Sequence, residues 1–186
     1  MSLRTGSTGP TLDHVDSRAL SLTEWVVLAL VAETPTHGFA VSRLTGDTGP
    51  VGAIWQIRRP HVYRALDRLA HLSLVEQSGR QPGRGGPQRT VFAVTASGRA
   101  AVDDWLMRPV EHIRDIRTEF LIKLAVLERA RTDPRPLLDA QAERIEPIVA
   151  ALRKQRDEAR GFEHAVISWR YETAEAALRL TQTARR

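Results

Sequence analysis

The chain has 186 residues, of which 42% are hydrophobic and 26% are charged, and its formal net charge is +5. This length and apolar content suffice for a packed core in one small domain with an appended helical part. Because the sequence contains no cysteine, disulfide bonds, thiolate metal sites and cysteine nucleophiles are excluded, and we expect a cytoplasmic protein with no membrane segment.

The N-terminal part of the sequence predicts an arm followed by two helices. Residues 1–20 mix Gly, Ser, Thr and Pro without an apolar period, which is typical of a disordered arm. Ser21 stands three residues before Glu24, the spacing of a capping box, and the apolar run that follows predicts a buried first helix that ends before Pro35. The next stretch, THGFAVSRLTGDTG, has the apolar spacing of a short second helix.

A third helix is predicted to begin near Pro60, because proline is tolerated in the first turn of a helix. Val62, Leu66 and Leu69 fall at i, i+4 and i+7, so they share one face that we expect to pack inward. The opposite face carries aromatic, cationic and imidazole groups, together with one carboxylate: His61, Tyr63, Arg64, Asp67, Arg68 and His71. A rigid helix that presents these groups to solvent is built like a recognition helix.

Beyond this helix the sequence predicts a β-hairpin. The segments LVEQSGR and RTVFAVT are rich in β-branched and aromatic residues, and QPGRGGPQ between them has the composition of a long Gly/Pro loop. Thr95 is then placed to cap a fourth helix. The predicted fold class is therefore mostly α (α+β), with an N-terminal winged helix-turn-helix over residues 21–107 that has a two-stranded wing.

Residues 108–186 are predicted to form a helical dimerisation domain. Helices are expected over 111–131, over about 136–160, where Pro147 favours a kink, and in the last segment. The last two helices carry apolar stripes with steps of three and four: Leu138, Ala142, Ile145, Val149 and Leu152, then Phe162, Val166, Trp169, Thr173, Ala176 and Leu180. Because a small domain alone leaves such stripes uncovered, we expect a homodimer.

The net charge is concentrated in one segment. Residues 58–89 contain seven arginines and two carboxylates, a balance of +5, while the rest of the chain has 20 basic and 20 acidic residues. A segment of this density attracts a polyanion in a salt-dependent manner. A solvated arginine-rich surface is the alternative.

Three motifs in this order resemble the PadR family of bacterial transcriptional regulators. They are WVVLALVAETPTHGFAVSRL, VYRALDRLAHLSLVE and GGPQRTVFAVTASGRAAVDDW, and together they cover roughly residues 21–107. The resemblance implies a homodimeric winged-helix repressor that binds a pseudo-palindromic operator in double-stranded DNA, with the third helix in the major groove. Many members of the family release this DNA when a small, often aromatic, effector binds. Ser73 stands where the family usually has glycine, so a left-handed backbone there would cost more.

With this resemblance, the candidate DNA-binding side chains lie on the third helix and on the wing. Arginine reads guanine or grips phosphate, and an arginine at the tip of the wing can enter the minor groove. For Tyr63 the alternative is packing on the wing, and for Arg89 it is an ion pair within the domain. The predicted set is Arg59, His61, Tyr63, Arg64, Arg68, Arg84 and Arg89.

Three aromatic side chains, Trp105, Phe120 and Trp169, are candidates for the lining of an effector pocket, with plain core and interface packing as the alternative. No nucleophile motif, phosphate-binding loop or metal-ligand spacing appears, and we interpret His37 as structural. We therefore predict no catalytic residue, no metal, no cofactor and no enzymatic activity. Two other functions stay open: a sequence-neutral, nucleoid-type DNA-binding protein, and a winged-helix module for protein interaction.

Overall fold

The computed structural model describes residues 20–83 and 86–185, without the side chains of residues 83, 86 and 87. Its elements follow the order helix, short strand, two helices, hairpin and four further helices, with a 3-10 turn and a π-helical turn before the fifth helix. They are α1 (Leu22–Glu33), β1 (Thr36–His37), α2 (Gly38–Leu44), α3 (Arg59–His71), β2 (Val75–Gly83), β3 (Gly86–Val94), α4 (Ala96–Met107), the 3-10 turn (Ile113–Asp115), the π turn (Ile116–Phe120), α5 (Leu121–Arg129), α6 (Arg135–Glu158) and α7 (Gly161–Thr183).

Helix α1 is the centre of the core. Its first turn has the predicted capping box: the Glu24 backbone N–H donates to Ser21 Oγ, and the Ser21 backbone N–H donates to the Glu24 carboxylate. Nearly every later residue of α1 is buried, and the helix contacts α2, α3, α4, α5 and β3. An apolar surface on all sides requires such an enclosure, because any side left open would expose aliphatic groups to water.

Helix α3 is divided as its sequence predicts. Val62, Leu66 and Leu69 are at most 1% exposed, while the opposite side faces solvent. Pro60 lies in the first turn, and Ser73, two residues beyond the end of the helix, has a left-handed backbone with a φ of 55°.

The sheet has the order β1-β3-β2, with both pairs antiparallel. The two-stranded wing formed by β2 and β3 is present, but the long Gly/Pro loop predicted between them is wrong, because pairing continues out to Gly83 and Gly86. Strand β1 was not predicted; its pairing of Thr36 with Phe92 is too short to leave an alternating pattern.

The C-terminal part departs from a simple series of α-helices. Thr95 caps α4 through a bond from the Gly98 backbone N–H, as predicted. The helix predicted over 111–131 begins instead as a 3-10 turn and a π turn. Helix α6 runs in one piece through Pro147.

Helices α6 and α7 pack against each other, and the predicted apolar stripe is buried on α6 but partly exposed on α7. All five α6 residues of the predicted stripe are buried. On α7 a different face is buried, formed by Ile167, Tyr171, Ala174, Ala177 and Thr181. The predicted α7 stripe is instead open at Phe162, Val166 and Trp169, whose side chains are 86%, 41% and 73% exposed.

Several contacts join helices α4 and α5 to α1. The Trp25 and Trp105 rings stack with centroids 5.3 Å apart. Arg129 donates two hydrogen bonds to the Glu33 carboxylate, at 2.8 and 2.6 Å, and this pairing raises the pKa of the arginine above its ordinary value. Within residues 20–83 and 86–185, no helix has the length and apolarity that crossing a membrane requires.

The left-handed residue after α3 gives a stability prediction. Ser73→Gly should raise the free energy of unfolding by about 0.5–1 kcal/mol. Glycine adopts this φ without steric cost, and this gain is larger than the loss that comes from the greater entropy of glycine in the unfolded chain. The Ser73 carbonyl, which accepts from Thr95 and Ser97 Oγ, is retained. Thermal unfolding should show a rise in Tm of about 1–4 °C; an unchanged or lower Tm would contradict the strain.

Candidate nucleic-acid interface

The outer face of α3 carries most of the predicted DNA-binding side chains. Arg59, His61, Tyr63, Arg64 and Arg68 are all exposed on it. The buried apolar face opposite holds the helix against α1 and α2. The helix is therefore a fixed support from which these side chains reach into solvent.

Arg64 lies near the middle of this face. Its Nη2 is 3.1 Å from His61 Nδ1, one turn back along the helix, and both side chains are exposed. No ion pair between Arg64 and a carboxylate is present in the described part of the chain. The guanidinium keeps most of its five N–H donors for an external acceptor.

Arg68 has a second role that the sequence did not indicate. Its Nε lies 2.9 Å from Oε1 of Glu24, whose other oxygen, Oε2, accepts from Ser21 in the capping box. One carboxylate thus caps α1 and holds α3 to it. The Arg68 side chain stays 53% exposed although its Nε is engaged.

A group of cationic and aromatic side chains lies where α3, the start of α2 and the wing meet; we call it the wing-base cluster, formed by His37, Phe39, Arg59, Tyr63 and Arg89. The Phe39 ring has the Arg89 guanidinium 4.3 Å and the Arg59 guanidinium 5.6 Å from its centroid. Arg59 also lies 5.5 Å from the Tyr63 ring. These distances are typical of cation–π contacts.

Two predicted alternatives for this cluster can be compared with the structure. Arg89 forms no carboxylate ion pair among the described residues, and instead its Nη1 lies 3.4 Å from His37 Nε2. Tyr63 is 40% exposed, and its ring packs on Gly38, where an added Cβ would lie 3.0 Å from ring carbons. Arg84 lies outside the described residues.

The three candidate effector-pocket residues do not come together. Trp105 is buried on Trp25, and its Nε1–H donates to Glu119 at 3.0 Å. Phe120 is fully buried in the core. Trp169 lies on the open side of α7 and lines a separate groove of about 460 Å³ with Leu152 and residues of the 3-10 turn.

Trp105 lines a cavity of about 850 Å³, together with a residue the sequence analysis missed, Lys123. The Lys123 side chain is 1% exposed, and its ammonium contacts Glu119 at 2.9 Å and donates to the Arg108 carbonyl at 2.8 Å. Burial lowers the pKa of Lys123, although the Glu119 carboxylate opposes this effect. Its sequence signal is a cation inside the apolar run FLIKLAVL.

Among the described residues, no group of three or more His, Asp or Glu side chains is placed to hold a metal ion.

Residues 27–104 match the family model described as "Transcriptional regulator PadR-like family". Among curated proteins, none matches the sequence. Several solved structures are similar at low identity. PadR of Bacillus subtilis in complex with operator DNA is 15% identical, with 88% of this chain and 97% of that chain covered and a TM-score of 0.44.

Two further structures show the same level of similarity. A PadR-like transcriptional regulator from Bacillus cereus is 18% identical, with 87% and 94% of the two chains covered and a TM-score of 0.39. The Vibrio cholerae virulence activator AphA is 19% identical, with 89% and 96% covered and a TM-score of 0.38. The assignment of the winged helix rests on the elements of this chain, and the match over residues 27–104 makes that part of the chain similar to the PadR-like transcriptional regulators.

Proposed function

We propose that the chain is a sequence-specific DNA-binding transcriptional regulator that binds a pseudo-palindromic operator as a homodimer and represses transcription until a small effector releases it. The observation that carries this proposal is the outer face of α3. Its arginines and Tyr63 are exposed on a helix whose opposite face is at most 3% exposed. The match of residues 27–104 to the PadR-like family model supports the same function.

In the proposed complex α3 lies in the major groove. Arg64, which has no carboxylate partner among the described residues, is placed to bond the O6 and N7 atoms of guanine, the commonest specific contact in this groove. Arg59 and His61 lie toward the helix start and grip the backbone, which sets the register but reads no sequence. We propose that Arg84 of the wing enters the minor groove.

The homodimer is proposed from the open face of α7. Phe162, Val166 and Trp169 follow one another at steps of four and three, so they form one exposed apolar stripe on the helix. Exposed side chains of this size leave apolar area that a second copy would cover. A two-fold axis through this face pairs each stripe with its own copy, and it spaces the two recognition helices by about 34–36 Å or a multiple of it.

The effector site is proposed at the Trp105 cavity. Trp25 of α1 and Trp105 of α4 form one wall, and Lys123 of α5 another. A ligand bound there contacts both the helix that supports α3 and the helices that lead to the dimer. An effector that favours a dimer with a different spacing would shift the population away from the DNA-bound form.

The first test concerns Arg64. Arg64→Ala should weaken operator binding by about 1–3 kcal/mol, roughly 5- to 150-fold in Kd, with relaxed specificity at one base pair. The measurement is a footprint and a gel-shift titration on DNA upstream of the chain's own gene. The matched control is Arg144→Ala, which removes an exposed arginine of α6 and should leave Kd unchanged.

Competitor DNA separates this function from its alternatives. A sequence-specific regulator should prefer its site by at least about 10³-fold. Equal competition by any duplex would instead indicate a nucleoid-type protein, and a wild-type chain that binds no duplex at low salt would indicate an interaction module. Either result would overturn the proposal.

The second test concerns the dimer. Trp169→Glu places a charge in the exposed stripe and should convert the dimer to a monomer in sedimentation experiments, because an unpaired charge at an apolar interface is costly. Ala150→Glu on the exposed side of α6 is the control. A wild-type chain that sediments as a monomer, or a Trp169→Glu variant that stays dimeric, would contradict the interface.

The third test concerns the effector. The variant with Trp55→Phe and Trp169→Phe leaves Trp25 and Trp105 as its only tryptophans, so its fluorescence reports the cavity. Aromatic compounds that raise Tm in a thermal-shift screen should quench this fluorescence and release the operator at the same concentration. Hits that leave the emission unchanged would place the effector elsewhere, and a screen without hits would count against effector control.

A further inference from the structure

At the wing-base cluster, two hydrogen-bond donors face each other without an acceptor between them. His37 is the N-cap of α2, where its Nδ1 accepts from the Ala40 backbone N–H at 3.0 Å. A ring nitrogen that accepts carries no hydrogen, so the ring hydrogen of His37 is on Nε2. Nε2 lies 3.4 Å from Nη1 of Arg89, which is itself only a donor.

In the described part of the chain, the cations at this pair have no carboxylate partner. Neither Arg59 nor Arg89 forms an ion pair with a carboxylate of the described residues. Asp67 is the one carboxylate that lines the same cleft, so the two guanidiniums leave an excess of positive charge. Phe39 sits between them and fixes their positions through its ring face.

The cleft that these groups line has room for a ligand. Its volume is about 470 Å³, and its walls come from the start of α2, the outer side of α3 and strand β3. Tyr63 belongs both to this cleft and to the exposed face of α3, so the cleft is continuous with the proposed DNA surface. An acceptor with negative charge is the chemistry that satisfies both donors and the excess cations.

We propose that His37 Nε2–H and the Arg89 guanidinium together hold one oxygen of a DNA backbone phosphate at the base of the wing, with Arg59 as the second cation. This inference rests on the proposed function. The histidine at the start of α2 then has two tasks: its Nδ1 caps the helix, and the cap in turn fixes the hydrogen on Nε2 toward the phosphate.

Loss of Arg89 and loss of His37 should change the salt dependence of DNA binding differently. Arg89 neutralises a phosphate and releases counterions, so its loss weakens binding and lowers the salt dependence by about one unit of slope. His37 contributes as a neutral donor, so its loss weakens binding with the slope unchanged. Both losses are the same on any DNA sequence, because a phosphate carries no sequence information.

The experiment compares His37→Asn, Arg89→Gln and the double variant on a short duplex of unrelated sequence and on the operator fragment. Asparagine is a good N-cap residue, so His37→Asn keeps the cap and removes the Nε2 donor; thermal unfolding of each variant checks the fold, and Arg89→Lys keeps the charge without the planar fork. Arg144→Ala is again the control. Anisotropy titrations at several salt concentrations give Kd and slope.

We expect each single variant to bind about 3- to 10-fold more weakly on both duplexes. The double variant should lose less than the product of the single losses, since the two groups share one oxygen. Wild-type DNA binding that depends on Arg64 but is unchanged in His37→Asn and Arg89→Gln would overturn this inference alone. Independent, multiplicative losses would also overturn it, while a wild-type chain that binds no duplex would overturn the proposed function as well.

A free phosphate ion is the other source of the same chemistry. Inorganic phosphate replaces chloride at constant ionic strength in the wild-type titration, with Arg89→Gln as the comparison. A Kd for DNA that rises in phosphate for the wild type but is the same in both salts for Arg89→Gln supports a backbone phosphate as the occupant, because the free ion then competes with DNA for this cleft. Occupation of the cleft by inorganic phosphate with no loss of DNA affinity in the wild type or in the variants would assign the cleft to a free anion and overturn the proposal.

Discussion

The enclosure of α1 is the constraint on which the other elements depend. Val26, Val27 and Leu28 lie in successive directions around this helix and are all fully buried, so no side of it can face water without a cost of about 25 cal/mol per Å² of exposed apolar surface. This helix is therefore covered on its different sides by α3, α4, α5 and β3. The position of the recognition helix and that of the C-terminal helices are set against the same core element.

Polar contacts at the two ends of α1 fix the positions of α3 and α5 against it. At the N-terminal end, Glu24 caps the helix and holds Arg68 of α3. At the C-terminal end, Glu33 accepts two bonds from Arg129 of α5. Each bond alone is a modest stabilising term, since both arginines are partly exposed. Together they connect helix α3 to the C-terminal helices through one core element, α1.

The sequence predicted those features that a local pattern records. The capping box at Ser21, the apolar face of α3 and the cap at Thr95 each follow from residue types at a fixed spacing, and each is present. Strand β1 was missed because it forms only by pairing with β3, more than 50 residues away, and the π turn before α5 was missed because its residues carry no pattern that distinguishes it from an α-helix. The open face of α7 was also not predicted. Residue spacing identifies an apolar stripe but does not show which side of the helix is buried, and in the structure the side with Tyr171 packs on α6.

The same distinction applies to the arginines. The sequence shows seven of them in residues 58–89 and cannot show which have partners, because a partner such as Glu24 lies more than 40 residues away. In the structure Arg68 is neutralised at Nε by that carboxylate, whereas Arg64, Arg59 and Arg89 have no acidic partner among the described residues. Local charge density therefore overstates the number of free cations. Long-range attraction to DNA depends on the summed charge, but the contacts that give affinity depend on the unpaired groups, and these are gathered on one side of α3 and at the base of the wing.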